Sequence, residues 1–476
     1  MPLAIDDGCV RQSAWGNAAR GDRMAVSDEG EVLVSEARKE VGTKVSMLAA
    51  AALVVADMIG VGVFTSLGFQ VKDIPSGFPI VMLWLVGGIV ALCGAVSYAE
   101  LAAMFPRSSG EYNYLSRAYH PVAGVLAGWL SATVGFAAPV ALAAMALGQY
   151  GRAIMPGVPP LLLGMVVIWA VSLVTLRGLR DSSALQTAGT AVKVGLILAF
   201  LVSGFALASP QPISFTPVSG DAGHLTSAAF ALSLVFVMYS YSGWNAATYI
   251  VGEIADPQRN VPRALLLGTA LVTVLYVALN AMFLYTTPIS ALAGQIDVAV
   301  IAGKHIFGDF GGRLVGALIC VGLVSSISAM MWIGPRVIST MGEDIPALRM
   351  FARRTGRGIP AAAIVFQLLV ASVLLATQSF EAILDMIQFA LIACSFATVA
   401  GVIKLRITRP DLPRPYRAWG YPVTPLIFLS VAAFMMYYLI TERPLQSLAG
   451  VLVMASGLVV YFVSRKADAA EPVGSN

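Results

Sequence analysis

The chain has 476 residues, of which 58% are hydrophobic and only 12% are charged. A single soluble core of this size cannot hide so much apolar surface, so the composition excludes an ordinary soluble protein and predicts a membrane protein. The formal net charge of +4 is small for this length and gives no support for nucleic-acid binding.

The first segment, residues 1–44, is polar and carries charges of both signs. It lacks the apolar stretch of a signal peptide, so we expect a cytoplasmic tail. The four cysteines of the chain show no paired spacing, and the three histidines lie far apart in sequence. We therefore predict no disulfide framework, no metal site and no cofactor.

Twelve apolar runs are long enough to cross the hydrocarbon core of a bilayer, which takes about 20 helical residues. They lie near residues 46–68, 79–104, 121–148, 160–177, 184–208, 225–254, 262–287, 309–341, 360–378, 380–403, 421–440 and 445–464. Between the seventh and eighth runs, the segment from Thr286 to Gly308 is expected to hold short helices on the outer face. The predicted class is an all-α integral membrane protein with about twelve transmembrane helices.

Loop charge predicts the orientation, because lysine and arginine accumulate in short loops on the cytoplasmic side. With the amino terminus inside, the inner segments hold 24 of the 30 basic residues and the outer loops hold five. The remaining one is Lys193, inside the fifth span. We predict a multi-pass protein of the cell membrane, in contact with the lipid bilayer and with both termini cytoplasmic. A homo-oligomer is left open.

Two spans carry residues that disfavour a continuous helix at their centres. The first contains Gly60 and Gly62, and each glycine costs a helix about 1 kcal/mol relative to alanine. The sixth contains the stretch from Tyr239 to Asn245, where serines and a glycine compete with the helical hydrogen bonds. Such interruptions at equivalent positions of two halves indicate inverted repeats. The predicted units are 45–210 (spans 1–5), 211–405 (spans 6–10), 406–465 (spans 11 and 12) and a cytoplasmic tail, 466–476.

A broken helix inside a membrane frees backbone groups, which are costly unless something polar reaches them. A carboxylate suits the N–H groups and the positive dipole end of a half-helix that begins near Gly60 to Gly62. An ammonium group suits carbonyls freed near Met58, Tyr239 and Ser240. The two breaks together therefore fit the backbone of an amino acid.

Five segments carry a resemblance to a known family. They are GVGVF from Gly60, PRSSGEYNYLSRAYHP from Pro106, SYSGWNAATY from Ser240, GEIADPQRNVPRAL from Gly252 and LPRPYRAWGYPVTPLIF from Leu412. With these segments the chain resembles permeases of the amino acid, polyamine and organocation (APC) superfamily. It is similar to the L-type amino acid transporter group and its bacterial relatives, and the resemblance extends over residues 46–464.

The resemblance implies a LeuT-like 5+5 inverted-repeat fold with interrupted helices 1 and 6, and transport by alternating access. It places the substrate carboxylate on N–H groups of the first break and the amine on carbonyls of both breaks. Carried over by position, the substrate-binding residues are Met58, Gly60, Val61, Gly62, Tyr239, Ser240, Ser242 and Asn245. Tyr239 stands at the place of an aromatic gate, and Asn245 at that of an asparagine that braces the sixth helix. Val61 stands where relatives often have serine, threonine or alanine, which leaves recognition to the backbone.

A coupling site is predicted around Lys193, where a lysine costs roughly 2.5 to 3.5 kcal/mol on insertion scales. Asp57 lies at the same depth within about 3 Å, so we hypothesise an ion pair. In several sodium-independent members of the superfamily, a lysine at this place occupies the position of sodium, and Ser325 and Ser326 lie where such members approach it. Lys193 is then a permanent tether, which we favour, or a titrating proton carrier. Asp57 could also be protonated or aimed at a cationic substrate.

The predicted function is secondary active transport of amino acids, independent of sodium, as an exchanger or a proton symporter. A neutral side chain is favoured, because the sixth-span break contains no acidic residue. A polyamine or cationic amino acid transporter is the alternative, which Asp57 keeps open. A different class is an amino acid sensor that signals through its tail without net transport. The chain has no nucleotide motif and no nucleophile paired with a base, so we predict no enzyme.

Overall fold

The computed structural model describes the backbone of residues 44–177, 182–356 and 358–470, and the side chains of 44–177, 189–356 and 358–464. Within these residues the chain contains no β-strand, and the predicted all-α class is confirmed. The α-helices in chain order are α1 (Met47–Met58), α2 (Gly62–Asp73), α3 (Gly77–Met104), α4 (Glu111–Ala118), α5 (Pro121–Leu130), α6 (Ala137–Gly151), α7 (Pro160–Leu176), α8 (Ser182–Leu207), α9 (Asp221–Leu225), α10 (Ala228–Tyr241), α11 (Pro257–Thr286), α12 (Ile289–Leu292), α13 (Val298–Asp344), α14 (Arg349–Ala352), α15 (Ala361–Ala376), α16 (Phe380–Thr408), α17 (Val423–Glu442) and α18 (Pro444–Ala470). Helical turns of other types are the π turn Ser131–Gly135 and the 3-10 helices Ala246–Glu253 and Pro346–Leu348.

Twelve stretches of helix match the twelve predicted spans. In the described part of the chain, nine segments are long and apolar enough to cross a membrane. The helices α7 and α15 are apolar but shorter, with 17 and 16 residues. The sixth span is divided into α10 and the 3-10 helix that follows it. The prediction of a multi-pass bundle with interrupted first and sixth spans is therefore confirmed.

The first span begins beside the end of the sixth. Ser46 caps α1, because its side chain accepts a hydrogen bond from the N–H of Ala49 at 3.2 Å. The N–H of Val45 donates to the carbonyl of Glu253 at 2.9 Å, and the N–H of Ala255 donates back to the carbonyl of Val45 at 3.0 Å. Both ends therefore lie on one side of the bundle, which we call the amino-terminal face.

The third span contains the π turn Ser131–Gly135 between α5 and α6. Such turns are rare and occur frequently at functional sites. Thr133 donates its hydroxyl to the carbonyl of Trp129 at 2.7 Å. The turn contributes residues to the wall of a cavity that is described below, so the irregularity lies where the helix meets open space.

The segment between the seventh and eighth spans contains short helices, as expected. The helix α12 has four residues, and α13 begins at Val298 with a short stretch that ends at Gly308. Gly308 adopts a φ of +73°, a left-handed conformation that glycine tolerates and that side chains disfavour. The eighth span itself therefore begins after Gly308.

The last two spans, α17 and α18, present large apolar side chains outward. Tyr437 is 61% exposed and Val459 is 64% exposed, as suits surfaces in contact with lipid. The backbone of α18 stays helical to Ala470, past the predicted end of the twelfth span. The predicted tail 1–44 lies outside the described residues except for Lys44, and so does the predicted tail 466–476 after residue 470.

Candidate functional site

The first span is interrupted between α1, which ends at Met58, and α2, which begins at Gly62. Gly60 turns the chain tightly, because its N–H donates to the carbonyl of Met58 at 2.7 Å. The N–H groups of Val61, Gly62 and Val63 have no acceptor within the described residues. They form the amino-terminal end of α2, where the helix dipole is positive. This break therefore offers unpaired donors that suit an anion.

The sixth span breaks after Tyr241, where α10 ends, and continues as a 3-10 helix. Gly243 turns the chain with a φ of +101°. The break restores its own hydrogen bonds over three residues: the N–H of Ser242 donates to the carbonyl of Tyr239 at 3.0 Å, and that of Ala246 donates to Gly243 at 2.9 Å. This break changes the direction of the chain and pairs every other N–H group, whereas the first break leaves three consecutive ones free.

The two breaks touch at Gly62 and Ser240. A Cβ atom at Gly62 would lie 2.4 Å from Oγ and 2.6 Å from Cα of Ser240, so only glycine fits there. At Gly60, by contrast, the nearest atom to an added Cβ would be the carbonyl oxygen of Met58 at 3.9 Å. Ser66 of α2 shares a hydrogen bond of 3.1 Å with the Ser240 hydroxyl, which holds the two half-helices together.

A narrow cavity, the central cavity, lies between the breaks. Seven of the eight predicted substrate-binding residues line it: Met58, Gly60, Val61, Gly62, Tyr239, Ser240 and Ser242. The eighth, Asn245, lines a larger adjoining cavity. The two cavities share Asp57, Pro139, Ser242 and Met330.

The adjoining cavity has mostly apolar and aromatic walls with a few polar groups. Its aromatic side chains include Phe136, Trp244 and Phe428. Gln388 of α16 lines it and donates to the backbone carbonyl of Val235 at 3.2 Å. A pocket of this kind accepts an apolar group and fixes its orientation through a small number of polar contacts.

Tyr276 of α11 joins the two breaks and was not among the predicted residues. Its hydroxyl lies 2.5 Å from the carbonyl oxygen of Met58 and 3.1 Å from that of Ser240. One side chain therefore contacts a carbonyl at the end of each half-helix. The only sequence signal was a tyrosine within an apolar span, since a buried tyrosine hydroxyl usually finds a partner. The carbonyl of Ser240 keeps a second lone pair for another donor, whereas that of Met58 also accepts from the N–H of Gly60.

Lys193 of α8 is 3% exposed and binds the first span at the depth expected from the sequence. Its Nζ donates to the carbonyl of Ala56 at 2.9 Å and to the hydroxyl of Ser326 at 3.1 Å. Its aliphatic stem passes over Gly322, where an added Cβ would lie 2.7 Å away. No ion pair within 4 Å joins it to Asp57 in the described part of the chain, so the hypothesised direct pair is replaced by a backbone contact one residue earlier.

The two predicted serines of the eighth span both lie against α8, but they make different contacts. Ser326 binds Lys193 and also lines the central cavity. Ser325 is 1% exposed and packs on Gly189, where an added Cβ would lie 2.2 Å from the Cβ of the serine. Ser326 thus connects the buried ammonium group to the cavity, whereas Ser325 contributes to helix packing.

A helical bundle with two facing helix breaks around a central cavity is the architecture of a membrane transport protein. The chain belongs to the amino acid permease family, whose sequence model matches residues 45–463. It is 27% identical over 442 residues to the b(0,+)-type amino acid transporter 1 of Mus musculus, covering 91% of this chain and 89% of the relative. It is 25% identical to the large neutral amino acids transporter small subunit 2 of Oryctolagus cuniculus, covering 95% of this chain and 85% of the relative.

These matches confirm the predicted superfamily and the predicted class of function. The chain is a multi-pass membrane protein of a family of amino acid transporters, and it is not an enzyme. The b(0,+)-type transporter of Homo sapiens gives the same result, with 26% identity and coverage of 93% of this chain and 91% of the relative.

Proposed function

We propose that the protein is a sodium-independent secondary carrier that moves amino acids by alternating access. The observation that carries this proposal is the meeting of the two breaks at one cavity, with unpaired amides of Val61, Gly62 and Val63 on one side. Secondary transporters bind substrates at discontinuous helices near the middle of the membrane. The family membership supports the same reading.

In the proposed complex, the substrate carboxylate lies at the start of α2 and accepts hydrogen bonds from its free amides. The ammonium group donates to the spare lone pairs of the carbonyls of Tyr239 and Ser240. At the carbonyl of Met58 it takes the place of a donor, because this oxygen already accepts from Gly60 and Tyr276. The Tyr239 ring acts as the gate over the substrate. Val61 contributes its N–H alone, because its side chain has no hydroxyl.

A neutral side chain suits the space next to this position. The adjoining cavity is lined by Met238, Met330 and Ile392 together with the aromatic rings described above. An apolar substrate side chain that enters it gains about 25 cal/mol for each Å² of surface removed from water. Asn245 and Gln388 then border the side chain as polar contacts.

Sodium independence is proposed from the position of Lys193. Its ammonium group already occupies the space between Ala56 and Ser326, and a second cation there would be repelled. Asp57, Ser325 and Ser326 complete the proposed coupling region. The hydrogen bonds of Lys193 to a backbone carbonyl and a hydroxyl support its role as a permanent tether of α8 to the first span.

In the proposed orientation, the protein spans the cell membrane and its amino-terminal face lies in the cytoplasm. The excess of lysine and arginine on this side supports it. The proposed units remain two inverted repeats, 45–210 and 211–405, with added spans over 406–465. The placement of one break in each unit, five spans apart, supports the division.

A cationic amino acid or polyamine is the second candidate substrate, and Asp57 favours it. This carboxylate lines both cavities, and its Oδ1 is buried without a hydrogen-bond partner in the described residues. A second ammonium group of a substrate could donate to it. In this reading the cationic end of the substrate points toward the amino-terminal face.

The test is uptake of labelled amino acids and polyamines into proteoliposomes, each with and without internal amino acid, an inward proton gradient, and sodium. We expect uptake of neutral amino acids that does not change with sodium. Uptake that requires sodium would contradict the role proposed for Lys193. Uptake of polyamines without amino acids would replace the proposed substrate by the second candidate.

A further inference from the structure

A buried carboxylate lines the adjoining cavity but not the central cavity. Glu111 is the first residue of α4, in the connection between the second and third spans, and it is 3% exposed. It lines the same cavity as Asp57. In the sequence it belongs to the segment PRSSGEYNYLSRAYHP, which carries the family resemblance but does not itself predict a place at the cavity.

Three hydroxyl groups from three different elements hold the Glu111 carboxylate. Tyr98 of α3 donates to Oε1 at 2.5 Å, and Ser395 of α16 donates to the same oxygen at 3.2 Å. Tyr249, in the 3-10 helix after the second break, donates to Oε2 at 3.3 Å. We call these four residues the Glu111 cluster. It ties the second, sixth and tenth spans to the connection that carries Glu111.

No basic side chain forms an ion pair with Glu111 in the described part of the chain. The titratable groups that face it are Tyr98, Tyr249, Tyr114 of its own helix and Cys394 of α16, with Asp57 at the same cavity. All of these are acids. Burial raises the pKa of the Glu111 carboxyl, while the hydrogen bonds from the three hydroxyl groups lower it by a smaller amount.

A second buried glutamate on the same face is held in a different way. Glu100 is 1% exposed, and both of its oxygens are bound by the guanidinium of Arg406 at 3.0 and 2.6 Å. Arg414 lies 3.4 Å from the carboxylate, and the N–H of Ala418 donates to it at 2.7 Å. Two cations therefore compensate the burial of this carboxylate. Glu111 has only neutral donors, so its carboxylate can bind a proton and become neutral.

We propose that Glu111 is a proton-binding site that couples proton entry to opening of the transporter on its cytoplasmic side. This inference rests on the proposed function and orientation, and it selects proton symport over exchange as the net mode. The ionised carboxylate accepts hydrogen bonds from all three hydroxyl groups and holds the cytoplasmic side closed. A proton that enters with the amino acid converts the carboxylate to a carboxyl group, and it leaves to the cytoplasm when the substrate has been released.

The physical basis is the change in the hydrogen bonds of the Glu111 cluster. Bonds to an ionised acceptor are roughly twice as strong as bonds between neutral groups. After protonation, one carboxyl oxygen becomes a donor. A hydroxyl group that donates to this oxygen must then rotate its proton away or lose the hydrogen bond. The ties to three spans weaken at the same time. Release of the proton restores the negative charge and closes the cluster again.

The first experiment compares Glu111→Gln with the matched control Glu100→Gln in proteoliposomes that contain a pH-sensitive dye. We expect an inward proton gradient to accelerate amino acid uptake in the wild type, and substrate addition to drive proton entry. Glu111→Gln should lose both effects, while counterflow of amino acid persists with a KM within about twofold, since the substrate contacts are unchanged. Glu100→Gln should lower the melting temperature, yet protein that remains folded should keep both proton effects.

Proton effects that persist in Glu111→Gln would overturn the proposal, as would a wild type that shows counterflow with no response to a proton gradient. A wild type without any amino acid counterflow would instead contradict the proposed function itself. If Glu111→Gln does not fold, Tyr249→Phe serves as the second variant. Loss of one donor to the carboxylate should move the midpoint of the proton response upward by about one pH unit. A midpoint unchanged in Tyr249→Phe would then contradict the proposal.

Discussion

The two helix breaks contain similar residues, yet they satisfy their backbone groups in different ways. The first, between Met58 and Gly62, leaves three consecutive N–H groups without an acceptor in the described residues and resumes as an α-helix of 12 residues. The second, after Tyr241, pairs every other N–H group from Ser242 to Thr248 and resumes as a 3-10 helix of eight residues. The first break thus gathers consecutive free donors at the start of a helix, whereas the second pairs every other donor.

This difference indicates a division of labour between the breaks. The first supplies the electrostatic site, because free amides at the start of α2 favour a negative charge. The second supplies shape, because Gly243 with a φ of +101° turns the chain and packs against Asp57. An amino acid would then be held mainly through its carboxylate, and its amine would contribute less.

The largest effect is expected for Gly62→Ala, which forces the two breaks apart. The added Cβ would lie within 3 Å of three atoms of Ser240, one of them backbone, so a side-chain rotation cannot relieve the clash. Overpacking of this kind costs roughly 1–3 kcal/mol, and we expect uptake to fall by up to about 100-fold. The matched control is Gly60→Ala, whose Cβ has room and which should lose only about two- to threefold. Equal losses in initial uptake rate would mean that the contact at Ser240 is unimportant.

The next effect concerns the substrate and tests the division of labour directly. An amino acid amide lacks the negative charge that the amides of Val61, Gly62 and Val63 would bind. Hydrogen bonds to charged groups contribute about 1.5–3 kcal/mol, so the amide should compete about 30-fold more weakly than the parent amino acid in inhibition of uptake. The deaminated acid, which keeps the carboxylate, should lose less than the amide. The reverse order would assign the dominant contacts to the carbonyls of the second break.

Much of this arrangement could be predicted from sequence, because it is local. The span count follows from apolar runs, and the first break follows from Gly60 and Gly62 within a span. The second break lies in the later part of the stretch predicted for it. The helix α10 continues to Tyr241 and includes Tyr239 and Ser240 in its last turn. Glycine and serine reveal that a helix is weak, while the residue at which it ends depends on its neighbours.

The contacts between distant segments could not be predicted. Tyr276 and Met58 are 218 residues apart, and Glu111 meets Ser395 across 284 residues. No sequence pattern around Tyr276 or Glu111 predicts a partner so far away in the chain. Lys193 lies between these cases: its depth followed from helix geometry, but its acceptor proved to be the carbonyl of the residue before Asp57.

A smaller effect is expected for Lys193→Met, which removes the cation that holds the end of α1. The carbonyl of Ala56 and the hydroxyl of Ser326 would lose a charged donor, at a cost of about 1.5–3 kcal/mol that is partly offset because a buried charge is also removed. We expect uptake by the variant to fall about tenfold. Uptake by the wild type should be insensitive to sodium. A wild type stimulated by sodium, or a variant with normal uptake, would separate Lys193 from the first break.

The smallest effect is expected for Tyr276→Phe, which removes the hydroxyl shared by the two breaks. The carbonyls of Met58 and Ser240 lose the single hydroxyl proton that they share, and a neutral hydrogen bond contributes about 0.5–1.5 kcal/mol, so the KM for uptake should rise about three- to tenfold. The matched control is Tyr241→Phe, a neighbouring ring whose hydroxyl donates to Trp84 of an intact helix at 3.0 Å. It should change the KM by less than twofold. If the two variants behave alike, the breaks do not depend on Tyr276 for their alignment, and the unequal hydrogen bonding of their own backbones is sufficient to position the substrate.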